Sequence, residues 1–192
     1  MNTDIFKTTL YKTIFNNKVV KKELLNILKR CKEQNILNNI SNIGGYQTKS
    51  YSSPTFDKYF EKPINNYLKT LKFRKPIKWY ITSLWINENN NNDYNKPHTH
   101  IDPKNHFACV WYLEVPKNSG NLIFLHEKGF SSIGQSDLFN LLDDPIAYTN
   151  YTVVPKKNLF IMFPASTIHY VEMNRSNKKR ISVAFNIGIF NT

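Results

Sequence analysis

From residue 77 onward the chain reads as short runs rich in Val, Ile, Phe, Tyr and Trp, separated by turn-forming residues, and this limits the fold more than any other feature. Strands are expected at Ile77 to Asn87, Lys96 to Asp102, Phe107 to Val115, Gly120 to Leu125, Tyr148 to Val154, Leu159 to Phe163, Thr167 to Met173 and Arg180 to Ile189. Short, mostly antiparallel strands at this spacing suit a jelly roll, a cupin-like double-stranded β-helix in which two sheets face each other.

Before residue 76 the period is helical. Val20, Leu24, Leu25, Ile27, Leu28 and Cys31 recur at three- and four-residue spacing with lysines between them, which predicts an amphipathic helix over Lys18 to Lys32 with Asn16 or Asn17 as its cap. A second helix is expected after Pro54, with Phe56, Tyr59, Phe60, Ile64, Tyr67, Leu68 and Leu71 turned inward and Pro63 kinking or dividing it. The 192 residues fit one domain: a helical flank over residues 1–75 packed on a β core over 76–192.

Apolar residues at 41% and aromatics at 14% supply a packed interior. No apolar run approaches the ~20 residues of a membrane helix and the first residues lack a signal-peptide pattern, so a soluble cytoplasmic protein with no membrane partner is expected. Cys31 and Cys109 are the only cysteines, which excludes a disulfide framework and a Cys-rich zinc site; both should be reduced and buried. The 26 Lys and Arg against 14 Asp and Glu give a charge of +12, dispersed along the chain. That charge suits a solvated surface, or attraction to an anionic partner such as nucleic acid.

Three of the five histidines fall between His98 and His106, directly ahead of the apolar run Phe107 to Leu113. In an extended strand, residues two apart share a face, so His100 and Asp102 would aim a nitrogen and an oxygen at one point, and His169, at the start of a later strand, would complete the set. Two histidines and a carboxylate with open positions suit non-haem Fe(II) and oxygen. The alternative set, His98, His100 and His169, has all-nitrogen donors and leans toward zinc or a cupin-like binding role. His106 and His126 read as ordinary surface or packed residues. Arg180 follows His169 by eleven positions and shares a strand face with Ser182, Ala184 and Asn186, where its fork would clamp a carboxylate. The Asn-rich stretch from Glu88 to Tyr94 and the insertion from His126 to Ala147, with a short helix over Leu138 to Leu142, are expected to be exposed loops and candidate lids.

His-x-Asp, a distant His, and Arg-x-Ser eleven residues later resemble the 2-oxoglutarate and Fe(II)-dependent dioxygenase superfamily. Trp85-Ile-Asn87, His100-Ile-Asp102-Pro103, Val110-Trp-Tyr-Leu113, Ser119-Gly120, Phe163-Pro164, His169 and Arg180-Ile-Ser182-Val-Ala-Phe-Asn186 look most like a small group of it, many of whose members come from phages and marine bacteria. Many members of that group carry a second histidine where Asp102 stands here. The resemblance spans about residues 80–190 and implies an enzyme using Fe(II), 2-oxoglutarate and O2, with ascorbate as reductant in vitro. It implies that Arg180 pairs with the distal carboxylate of 2-oxoglutarate, helped by Ser182 and Tyr112, while the substrate is hydroxylated and the keto acid decarboxylated to succinate. That substrate is a protein side chain, a nucleobase or a small metabolite. Two other classes remain open from the residues: a zinc-holding or metal-free jelly-roll binding module, and a nucleic-acid-associated protein motivated by the charge.

Overall fold

A computed structural model describes residues 8–36, 41–52, 54–126 and 149–191. Two antiparallel sheets face each other. The larger has the order β1 (Tyr11–Ile14), β9 (Leu159–Pro164), β6 (Phe107–Glu114), β11 (Arg180–Asn191), β4 (Ile77–Asn89) and β3 (Tyr46–Gln47). The smaller has the order β2 (Asn42–Ile43), β5 (Tyr94–His98), β10 (His169–Val171), β7 (Leu122–Leu125) and β8 (Asn150–Val153). All of the expected strands exist, and from β4 to β11 the chain crosses from one sheet to the other at every step except the β7–β8 hairpin, in the jelly-roll manner. The 1–75 region is not only helical: β1, β2 and β3 extend the edges of both sheets by pairing with β9, β5 and β4.

Helix α1 (Lys18–Glu33) starts where the Asn17 side chain accepts the Val20 amide at 3.1 Å, and it buries Val20, Leu24, Ile27, Leu28 and Cys31. Helix α2 (Pro54–Leu68) runs through Pro63 undivided. Phe56 and Phe60 before the proline and Ile64, Tyr67 and Leu68 after it are all buried in one core, and that packing outweighs the backbone bond Pro63 cannot make. Both helices cover the outer face of the larger sheet, where Phe60 sits 4.5 Å from Phe185 and 5.7 Å from Trp111, centroid to centroid. A second core of Ala108, Tyr112, Leu122, Phe124, Val153, Leu159, Ile161 and Phe163 lies between the sheets. Cys31 and Cys109 are free and buried, as expected.

Two expectations need correction. The second strand ends at His98 and does not reach Asp102, because Asp102 starts a turn: its Oδ1 accepts the Lys104 amide at 2.9 Å and its carbonyl accepts the Asn105 amide at 3.0 Å. The Asn-rich stretch is exposed only at Asn90 to Asn92 and at Tyr94. β4 continues to Asn89, a tight turn with Asn92 at φ 68° follows, and Glu88, Asn89, Asp93 and Asn95 are buried. Their polar groups are paired, with Asn89 Nδ2 donating to Asn42 Oδ1 and Asp93 Oδ2 accepting the Asn90 amide. The candidate lid over His126 to Ala147 falls, apart from His126, outside the described residues.

Candidate metal centre

Along β11 the side chains alternate between the helix-covered face, which takes Val183, Phe185 and Ile187, and the inner face, which takes Arg180, Ser182, Ala184 and Asn186. β4 lies antiparallel beside it, with Asn89, Asn87, Trp85 and Ser83 opposite those four residues. The inner face of the larger sheet is therefore a polar column, and the histidines close over one end of it.

His98 ends β5 and pairs in register with His169, which starts β10; His100 lies in the connection after β5, its amide held by the Ala165 carbonyl at 2.8 Å. One ligand atom from each of His98, His100 and His169 lies within 4.8 Å of the other two. The ring centroids are 4.4 Å apart for His98 and His169, 5.2 Å for His98 and His100, and 5.1 Å for His100 and His169. Asp102 is exposed in its turn and is not brought into this cluster; His98 occupies the place expected of it. The signal for His98 was present in the sequence as the alternative set of His98, His100 and His169, which is the set the structure brings together.

Every Nδ1 in the cluster has a partner. That of His98 lies 2.7 Å from the Lys96 carbonyl, that of His169 2.9 Å from the Thr167 carbonyl, and that of His100 2.6 Å from Asn186 Oδ1. A carbonyl only accepts, so each ring carries its proton on Nδ1 and keeps an Nε2 lone pair for a cation. Asn186 is oriented in turn by donating Nδ2 to Ser83 Oγ at 3.1 Å. Burial lowers all three imidazoles from their ordinary range, His100 to about 4 and His169 to about 3, and the crowding of His100 and His169 by neighbouring histidines adds to it. Three neutral imidazoles with converging lone pairs are a donor set for a borderline transition metal, Fe(II) included. Trp85 stacks on His100 at 5.5 Å and Phe163 meets His169 edge-on at 4.8 Å, which holds the rings in place and dries one wall.

Arg180 is 1% exposed. Its guanidinium donates to the Ser119 carbonyl at 2.8 Å and to Asn89 Oδ1 at 2.9 Å, and among the described residues no carboxylate pairs with it. Burial disfavours its charge while the buried Asp93 carboxylate, beyond contact distance, favours it, and an anion in direct contact would favour it further. Tyr112 and Asn87 flank Ser182 on the neighbouring strands, Tyr112 is buried with its hydroxyl pushed up to about 12 by desolvation, and Asn87 Oδ1 is buried with no hydrogen-bond partner among the described residues. The structure thus places Arg180, Ser182 and Tyr112 together on the inner face. Amide oxygen and nitrogen are interchangeable by a flip, so the orphaned Asn87 amide offers either a donor or an acceptor beside Ser182.

The comparisons with known proteins agree with this geometry. The family described as "Putative 2OG-Fe(II) oxygenase" matches residues 83–186, the stretch that contains all three histidines and Arg180. No curated protein sequence matches the chain. Among solved structures, a viral collagen prolyl hydroxylase from Paramecium bursaria Chlorella virus-1, as its 2-oxoglutarate complex, is similar with a TM-score of 0.60 at 15% identity, covering 93% of this chain and 94% of that one. A Pseudomonas putida prolyl-4-hydroxylase gives 0.61 at 14% identity over 95% and 92%. A Trichoplax adhaerens prolyl hydroxylase in complex with a hypoxia inducible factor peptide gives 0.60 at 12% identity over 95% and 83%. At these identities the structures establish a shared jelly-roll fold. No helix among the described residues is long and apolar enough to cross a membrane.

Proposed function

The chain belongs to the 2OG-Fe(II) oxygenase family, and from that premise we propose that His98, His100 and His169 hold its Fe(II) while Arg180, Ser182 and Tyr112 bind 2-oxoglutarate. The observation that carries the ligand assignment is the convergence of three Nδ1-anchored imidazoles within 4.8 Å, with Asp102 turned to solvent. When bound, the iron supplies activation of dioxygen coupled to oxidation of 2-oxoglutarate to succinate and carbon dioxide, and the chemistry belongs to the cofactor.

The chain's own residues do the rest. The carbonyls of Lys96 and Thr167 and the amide of Asn186 keep the Nε2 lone pairs free. Arg180, fixed by Ser119 and Asn89, presents its remaining N–H groups to the distal carboxylate of the co-substrate, and Ser182 donates to the same end. Because the three imidazoles are neutral, the protein adds no negative charge at the centre, and the dianionic co-substrate meets only attractive charge there. Phe124, Phe163 and Val171 form an apolar wall that keeps water from the reacting atoms. The substrate is hydroxylated at a C–H bond presented at the mouth of the histidine cluster.

Anaerobic protein loaded with Fe(II) should bind 2-oxoglutarate, and admission of air with ascorbate should yield slow succinate formation without added substrate. His98→Ala and His169→Ala should abolish both metal retention and succinate. Full metal retention in His98→Ala would remove His98 from the set.

A further inference from the structure

We propose that the inner face of the larger sheet, just beyond the metal centre, is a docking ledge for a single-stranded polynucleotide, which makes an unpaired nucleotide the substrate class of the oxygenase site read above. Trp79 donates to Asn65 on α2 at 2.8 Å, so its neighbour Tyr80 projects from the opposite, metal-facing side of β4. On β11 the Asn186 side chain touches His100, and Gly188 and Phe190 follow it on the same face, one and two side-chain steps of about 7 Å farther out. Tyr80 pairs with Gly188 and Lys78 with Phe190, so an aromatic and cationic surface continues outward from the histidines.

Gly188 makes that surface possible. A Cβ there would lie 2.6 Å from Tyr80 Cε1, 2.7 Å from Cζ and 3.0 Å from the Lys104 carbonyl, so the Tyr80 ring rests directly on the backbone of β11. Tyr80 and Phe190 stand 5.8 Å apart and are 37% and 46% exposed, two large rings left uncovered beside a reactive centre. Lys78 shares their face, exposed Lys104 borders it, and Lys72, Arg74 and Lys75 are exposed in the segment that feeds β4. No Asp or Glu occurs in residues 62–87 or 173–192; Asp102 is the one carboxylate in the bordering turn, and its Oδ1 is engaged by the Lys104 amide. Partly exposed rings among cations without carboxylates suit a polyanion that also carries flat apolar groups. A duplex hides those groups, and an acidic peptide matches the charge but leaves the rings without a partner.

Fluorescence anisotropy with a labelled mixed-sequence single-stranded oligonucleotide of about 12 nucleotides tests this, since such strands fill sites of roughly 4–16 nucleotides. Tyr80→Ala and Phe190→Ala should each weaken binding about tenfold with an unchanged salt dependence, and Lys78→Ala should reduce the salt slope by about one ion. Tyr151→Ala, which removes an exposed ring on β8 at the far edge of the smaller sheet, should bind as wild type does. Wild-type affinity in the Tyr80 and Phe190 variants, equal affinity for duplex, or equal displacement by polyglutamate would overturn the ledge. Succinate formation by the wild-type protein separates the two readings. Protein that turns over 2-oxoglutarate but binds no oligonucleotide sinks only the ledge, whereas oligonucleotide held through Tyr80 without 2-oxoglutarate turnover or metal retention sinks the oxygenase site.

Discussion

The Nδ1 of His100 lies 2.6 Å from Oδ1 of Asn186, a residue 86 positions later in the chain, and this contact ties the connection after β5 to the inner face of β11. Asn186 therefore sets the tautomer and the ring plane of His100, one of the three proposed ligands. Partners of this kind typically matter ~10–100-fold in metal affinity. Asn186→Ala should weaken Co(II) or Fe(II) binding within that range, measured by competition with a chelator. Unchanged affinity would show that Trp85 stacking alone orients His100.

His98 and Asp102 make opposite predictions. His98→Ala removes one of three converging nitrogens and should reduce bound metal to background in elemental analysis. Asp102→Ala alters an exposed turn and should leave metal content unchanged, with stability shifted by no more than ~0.5 kcal/mol. The reverse outcome would reinstate the carboxylate as a ligand and require the 99–105 segment to refold around the ion.

Much of this was legible because two periods dominate the chain. The period of two in Arg180 to Ile189 put Arg180, Ser182, Ala184 and Asn186 on one face, and the three- and four-residue spacing of Val20 to Cys31 marked the first helix. The ligand set was harder because Thr99, Ile101 and their neighbours alternate as a strand would, while the Asx turn at Asp102 is a local side-chain bond that no period records. The Asn-rich stretch misled for a related reason. Polar residues read as solvent-exposed, yet Asn89 and Asp93 are buried because Asn42, Asn90 and Arg180, from three parts of the chain, satisfy them. β2 and β3, of two residues each, are too short to carry any alternation.

The lowered histidines should couple folding to pH in the metal-free protein. Below the ordinary value of 6.5 the unfolded chain takes up protons that buried His98, His100 and His169 refuse, so stability is complete above about pH 6.5 and falls as pH drops toward the folded values, about 4 for His100 and about 3 for His169. Urea midpoints measured between pH 6.5 and about 5 should decline, and His169→Gln should remove one proton from that slope, about 1.4 kcal/mol per pH unit at most. A His169→Gln slope equal to that of wild type would mean that His169 is protonated in the fold.

Arg180 is the place where the fold's stability and its chemistry pull apart. The guanidinium is buried against the Ser119 carbonyl and Asn89 with no carboxylate in ion-pair contact among the described residues, and the more distant Asp93 favours its charge against the cost of burial. An anion that pairs with it should stabilise the fold by mass action, about 2.7 kcal/mol at a hundredfold excess over Kd. For a chain of this size that corresponds to a rise in Tm of roughly 5–11 °C. Anaerobic, metal-loaded wild-type protein should show that rise with 2-oxoglutarate. Arg180→Met, which keeps the volume and removes the charge, should retain its metal and show no rise, while Arg180→Lys should show a smaller one because an ammonium lacks the planar fork. An equal rise in wild type and Arg180→Met would place the distal carboxylate elsewhere, with Lys179 or the Asn87 amide as the groups to test next.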